Sequence, residues 1–346
     1  VYKLTVSFFM AQFAMFSSLD SQASQSEFFS PQTHIINEKN CFRAPFDSYE
    51  SWLAMITKSS KKRSSNEFEL SNRIHGFKTR FPQSEYENFK KNISCVTFRY
   101  KVDGIWVDGY AIKPKAVKDL PVIVYNRGGN GRYGSVGFAA MIGSLMPLAN
   151  EGFIVIGSQY RGNHRKSEVQ DEFGGADVQD VLTLIDNLEF LHHADLERVG
   201  LYGSSRGGMQ SMMVLRERSK PLKAVVLSAG IYDLEAQLAF RPEMENVYKN
   251  RIPNYESQKS SQLKKRSAIY WSDEIETNLP ILLLHGELDK RVDVSNSIKL
   301  AEKFEKNGRP YKLRIFEGDN HSLTNNREAA NTELLNWFAN HLKIEE

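Results

Sequence analysis

The stretch RVGLYGSSRGGMQS at residues 198–211 decides how the rest of the chain is read. Val199-Gly200-Leu201-Tyr202 is a short apolar run of the kind that forms a buried strand, and Met209 to Arg216 reads as the opening of a helix. Between them Gly203-Ser204-Ser205-Arg206-Gly207 has the G-x-S-x-G spacing of a nucleophile elbow. In that turn the backbone passes sharply from strand to helix and lifts the serine hydroxyl to the top of a sheet. A Cβ at either flanking glycine would collide across the turn. Glycines at minus two and plus two bracket Ser205 alone, so Ser204 is out of register. The bare pattern is weak, and the strand-turn-helix setting is what gives it weight.

Outward from the elbow, strand and helix alternate. PVIVY at 121–125, FIVI at 153–156, AVVL at 224–227 and ILLL at 281–284 are short apolar strands, with helical stretches near 138–150, 177–192, 207–218 and 294–307. This predicts an α/β fold with a mostly parallel sheet and helices on both faces. Residues 93–102 and 105–112 flank Asp103-Gly104, the signature of an antiparallel N-terminal hairpin at one edge. Residues 231–271, rich in charge and aromatics, read as a helical insertion over the site that walls its acyl or side-chain pocket.

A serine needs a base to take its proton and a carboxylate to orient that base. In a parallel sheet both belong in loops at the carboxyl ends of later strands, in the order Ser, acid, His. After ILLL comes HGELD, which places Asp289 just past a strand end. Asp293 is the rival, but it falls where the next helix begins, where an acid has a structural use. YKLRIF at 311–316 is the next strand and EGDNH its loop, which makes His321 the candidate base; His341 sits beside Trp337 and Phe338 in a terminal helix and reads as packing. The oxyanion hole requires two donors aimed at the oxygen that becomes negative. One is the backbone N–H of Arg206, and the second belongs to the glycine-bearing loop after PVIVY, with Gly128 and Gly129 as candidates.

The composition suits a globular enzyme: 346 residues, 41% hydrophobic and 25% charged, with a formal net charge of +3 that implies no nucleic-acid partner. The basic triplets at 61–63 and 264–266 are isolated and read as solvated turns. The glycine loop at 128–131 lacks the G-x-x-x-x-G-K-[ST] of a nucleotide site, and His192-His193 lacks any metal-ligand spacing, so neither a metal nor an organic cofactor is expected. Lys3, the apolar run Leu4 to Phe16 and Ser21-Gln22-Ala23 read as a signal peptide over 1–23. The expectation is an exported protein, periplasmic or extracellular, without stable membrane insertion once the signal is removed. Cys41 and Cys95 could form a disulfide in that compartment or be two unrelated thiols. Residues 24–92 read as a helical N-terminal extension with no strand-like run. One helix starts in the capping-box pattern Asp47-Ser48-Tyr49-Glu50 and another follows Pro82. The extension has neither the length nor the repeat of a β-propeller.

From about residue 95 to 343 the sequence resembles the catalytic domain of the prolyl oligopeptidase (S9) family of serine peptidases. The resemblance is carried by VYNRGGN at 124–130, QYRGN at 159–163, EFGGADVQDV at 172–181, GLYGSSRGGM at 200–209, LLHGELDKRV at 283–292 and GDNH at 318–321. It implies an α/β-hydrolase fold over 93–346 with Ser205, Asp289 and His321 as nucleophile, orienter and base. Arg127 to Asn130 stand where many members have His-Gly-Gly-Pro, and Tyr125 lies near the position from which some members offer a hydroxyl to the oxyanion. The implied activity is cleavage of small peptides or aminoacyl amides through an acyl-enzyme; a carboxylic ester hydrolase on the same triad and a non-catalytic binding relative are the alternatives. Peptide-length selection and exopeptidase specificity, which propeller-bearing members owe to a second domain and a pair of acids, find no counterpart in these residues. Asp177 and Asp180 read as capping and pairing acids.

Overall fold

The computed structural model describes residues 26–31, 34–115, 119–164, 167–217, 222–275 and 278–343, and the expected signal at 1–23 lies outside them. Nine strands form one sheet in the order β1-β2-β3-β5-β4-β6-β7-β8-β9. They are β1 (Ile35–Asn40), β2 (Ile93–Val102), β3 (Ile105–Pro114), β4 (Leu120–Asn126), β5 (Ile154–Ser158), β6 (Ala194–Ser204), β7 (Ala224–Ser228), β8 (Ile281–Gly286) and β9 (Tyr311–Phe316). From β5 through β9 every pairing is parallel, whereas β1, β2 and β3 join antiparallel at one edge. The hairpin closes at Asp103 and Gly104, both at positive φ, the twist that a two-residue turn between right-twisted strands requires.

The apolar strands are buried on both faces, and alternate residues feed two cores. Val122, Val124, Val225, Leu227, Ile281 and Leu283 join one; Ile123, Ala224, Val226, Leu282 and Leu284 join the other. The period of two therefore commits each strand to both layers, and a one-residue slip would exchange them.

Helices cover both faces in chain order: α1 (Tyr49–Lys61), α2 (Glu67–Arg80), α3 (Gln83–Asn92), α4 (Phe138–Ala140), α5 (Met146–Asn150), α6 (Asp177–Asp186), α7 (Arg206–Glu217), α8 (Leu234–Phe240), α9 (Met244–Arg251), α10 (Tyr255–Lys265), α11 (Ser295–Lys306) and α12 (Arg327–Leu342). α8, α9 and α10 lie within the expected insertion. None of the described helices is long and apolar enough to cross a membrane.

The extension departs from its expected form in three ways. Ile35–Asn40 is a strand, added to the free edge of β2. Its IINEKN sequence, half exposed and interrupted by a bulge between Ile36 and Lys39, carries no period-two signal. The cap of α1 is Ser48, which accepts from Ser51 N at 3.0 Å, so helix capping begins one residue later than the Asp47 pattern predicts. A further helix, α2, stands between the two expected ones. Trp52 of α1 is buried among Phe46, Phe77, Phe81 and Phe138, with ring centroids 4.8 Å from Phe77 and 5.0 Å from Phe138. Cys41 and Cys95 are joined as a disulfide that ties the extension to β2. Chain entropy alone assigns such a cross-link about 4 kcal/mol for a loop of 54 residues.

Candidate active site

β6 ends at Ser204 and α7 begins at Arg206, so Ser205 is the single residue of the turn, at φ 57°. A non-glycine residue there is strained, and the turn is held from both sides: Ser205 N donates to Ser228 O at 2.8 Å, and Gly208 N donates to Ser205 O at 2.8 Å. The flanking glycines are required by close approach. A Cβ at Gly207 would fall on Asn126 O, and one at Gly203 would fall on Gly207 O.

Asp289 and His321 come from the loops after β8 and β9, and backbone bonds join those loops. Glu287 N donates to Phe316 O at 2.9 Å and Leu288 N to Asp319 O at 2.8 Å. Asp319, fully buried, shapes the histidine loop by accepting from the N–H groups of Asn320, Asn325 and Asn326. Within this frame His321 Nδ1 lies 2.6 Å from Asp289 Oδ2, which places the proton on Nδ1 and leaves Nε2 as the basic nitrogen.

The two oxygens of Asp289 have separate duties. Oδ1 accepts from Arg291 N at 2.7 Å and Val292 N at 3.0 Å, closing its own turn. Oδ2 accepts from His321 and also from His285 Nε2 at 3.2 Å. Burial alone would raise the Asp289 pKa, but hydrogen bonds from His285, His321 and Val292 outweigh it and hold the carboxyl well below the usual carboxylate range. Asp293 instead accepts from Ser295 N at 2.8 Å at the start of α11, the structural use expected of it.

His285 was no candidate in the sequence, where it follows the apolar run at 281–284. It is fully buried, with Nε2 beside two acceptors, Asp289 Oδ2 and Val292 O, and Nδ1 2.7 Å from Ser297 Oγ. That arrangement fixes the proton on Nε2, with Ser297 donating to Nδ1.

Ser205, His321, Arg206, Gly128, Gly129 and Tyr125 all line one cavity of about 630 Å³. Arg206 opens α7, and the N–H groups of a first helical turn have no acceptor within the helix, so its backbone is a ready donor. Gly128 lies against the serine: a Cβ there would stand 3.0 Å from Ser205 Cβ. Gly129, at φ 72°, turns instead toward Tyr133 and Gly134. Burial raises the Tyr125 pKa against a hydrogen bond with Ser204, and its ring centroid is 4.9 Å from that of Tyr202. Ile231, Met244 and Val247, from the insertion, contribute to the far wall with Phe173 and Val292.

The Arg206 side chain braces the same loop from below. It is buried between two carboxylates, Asp171 at 3.0 Å and Asp177 at 2.5 Å, and donates to Gly129 O at 2.9 Å. Asp177 also accepts from the N–H groups of Glu172, Gly174 and Gly175, and Asp180 pairs with Arg161 at 2.7 Å. Asp177 thus pairs with Arg206 and holds the turn before α6 rather than capping the helix, whose N-cap, Ala176, has no side-chain bond, and Asp180 is the pairing acid expected.

Residues 141–345 match the prolyl oligopeptidase family of peptidases. The chain is similar to the uncharacterized peptidase YtmA of Bacillus subtilis, 25% identical over 265 residues, which are 76% of this chain and 98% of that protein. It is 28% identical to dipeptidyl-peptidase 5 of Porphyromonas gingivalis over 59% of this chain and 31% of that one. Among solved structures, the acylaminoacyl peptidase of Pyrococcus horikoshii superposes with a TM-score of 0.63 and 26% identity, covering 75% of this chain and 44% of that one. The chain thus spans nearly all of the first relative but less than half of the other two.

Proposed function

Because this chain belongs to the prolyl oligopeptidase family and is a serine hydrolase, we propose that Ser205 is its nucleophile, His321 the base and Asp289 the residue that orients the base. The observation that carries this reading is the 2.6 Å contact of Asp289 with His321 in a loop that shares a cavity with Ser205. Ser205 Oγ attacks the substrate carbonyl while its proton passes to His321 Nε2. The oxyanion is held by the Arg206 N–H and a donor from the loop at Gly128, with Gly129 and Tyr125 as neighbouring candidates. The C–N bond then breaks as His321 returns the proton to the departing amine, and water releases the acyl group from Ser205 by the same steps in reverse order.

The substrates we propose are small peptides or aminoacyl amides. The named relatives are peptidases, and the insertion supplies one wall of the cavity. Among the described residues no carboxylate lines it, so nothing in it matches the acids that would hold a free amino terminus. Aryl esters are expected to react on the same groups, because an ester needs little help with its leaving group. We propose further that the protein works after export and loss of residues 1–23, a reading supported by the leader-like sequence and the Cys41–Cys95 bond. A panel of aryl esters, N-acylated peptides and free-amine dipeptide amides tests the substrate reading: turnover of the N-acylated peptides is expected, and turnover confined to esters would sink it.

A further inference from the structure

A second cavity of about 250 Å³ meets the first at Tyr125 and His321 and lies on the other face of the sheet, between α5 and α12. It holds neither Ser205, Arg206 nor the loop at Gly128, which places it on the side of His321 away from the acyl group and the oxyanion. Its upper wall carries the hydroxyl-bearing residues Ser204 and Tyr202, and two cations stand in it: Arg80, the last residue of α2, and Arg327, the first of α12.

Arg327 is out of place by ordinary criteria, whereas Arg80, exposed at the end of α2, sits where a cation suits the helix dipole. Partial burial lowers the Arg80 pKa, and the charge of Arg327 lowers it further. Like charges repel, and an arginine at a helix N-terminus also opposes the helix dipole. No carboxylate among the described residues lines the cavity, and Glu328, the nearest acid in the chain, is exposed outside it. A pair of guanidiniums facing a hydroxyl-lined space has the chemistry to bind a carboxylate. The volume is roughly eight waters at ~30 Å³ each, room for a single amino-acid residue of any size.

We propose that this cavity takes the leaving-group residue of a peptide and that Arg80 and Arg327 hold its terminal carboxylate, so that the enzyme removes single residues from carboxyl ends. The inference rests on Ser205 and His321 acting as nucleophile and base. His321 delivers its proton to the departing amine, and the cavity beginning at His321 is where that amine's own residue would lie. Arg80 comes from the extension, outside the family match at 141–345, so the specificity belongs to an added segment.

The test uses the full chain and pairs of N-acylated dipeptides that differ only in a free or amidated carboxyl end, with a third series carrying a glutamate side chain on an amidated end. The free acid is expected to exceed its amide in kcat/KM by ~10-fold or more, with the difference in KM. Arg80→Gln and Arg327→Gln should each bring that ratio toward one, and Arg80→Lys should keep most of it. Equal rates on acid and amide, an unchanged ratio in both glutamine variants, or equal preference for the glutamate side chain would each overturn the assignment. If no peptide is cleaved, the same acids and amides are compared as competitive inhibitors of aryl ester hydrolysis, where the acid must bind ~10-fold tighter. Fluorophosphonate labelling of Ser205, run alongside, separates failure of this subsite from failure of the nucleophile. Arg80 is exposed at a helix end, so its variants carry the test if Arg327→Gln does not fold.

Discussion

His285 donates through Nε2 to Oδ2 of Asp289, the oxygen that also receives His321 Nδ1. One oxygen thus serves two imidazoles, and the buried one helps fix the direction in which the carboxylate faces the other. Replacing His285 by Phe removes that donor while leaving Asp289 and His321 in place. The expected result is a fall in kcat of ~10-fold with KM little changed, the loss of about one hydrogen bond of positioning. A loss confined to melting temperature, with kcat intact, would make His285 purely structural.

Ser205→Ala should lower kcat by ~10⁴-fold or more and abolish labelling by a fluorophosphonate probe, while the circular dichroism spectrum stays that of the parent. Persistent labelling, above all at Ser204, would move the nucleophile.

Asp289→Asn keeps an oxygen for Arg291 N and Val292 N but sets an amide nitrogen against the protonated nitrogens of two histidines. A fall in kcat of about a thousandfold or more follows, whereas Asp293→Asn should cost little. Stability carries a second signature. A carboxyl whose pKa is depressed by folding contributes stability that is fully present above its ordinary value of about 4 and is lost as pH falls below it. The gap in melting temperature between the parent and Asp289→Asn should therefore be widest near neutral pH and narrow below about pH 4. A gap that widens on acidification would contradict the sign.

Arg206→Met leaves Asp177 buried without its cation and Asp171 with only Arg251 at 3.8 Å, and it frees Gly129 O. Removing one partner of a buried pair costs about 3–5 kcal/mol, so urea unfolding should shift by that order. A shift under ~1 kcal/mol would mean that the backbone donors at Asp177 suffice.

The proposed triad could be read from the sequence because each candidate is announced locally. Ser205 sits in its own glycine bracket, and Asp289 and His321 directly follow apolar strands. The central strands and the insertion were legible for the same reason, through short periodic runs. What escaped depends on partners distant in sequence. Arg80 meets Arg327 only in the folded chain, and the pairing of Cys41 with Cys95 required β1 to be placed. β1 itself is an edge strand with one neighbour and little burial, so no pattern in its residues was under constraint. His285 was hidden by its position, since a histidine closing a buried strand looks like any other strand residue.

The bond between Cys41 and Cys95 has a consequence for how the molecule responds to cutting. Lys61, Lys62 and Arg63 are exposed where α1 ends, a ready target for trypsin. A break there divides the chain between Trp52 and the aromatic side chains it packs against, yet the two pieces remain joined through sulfur. The nicked molecule should run as one band on a gel without reductant and as two with it. Cleavage at this site would thus alter the connectivity of the chain without releasing a separate extension.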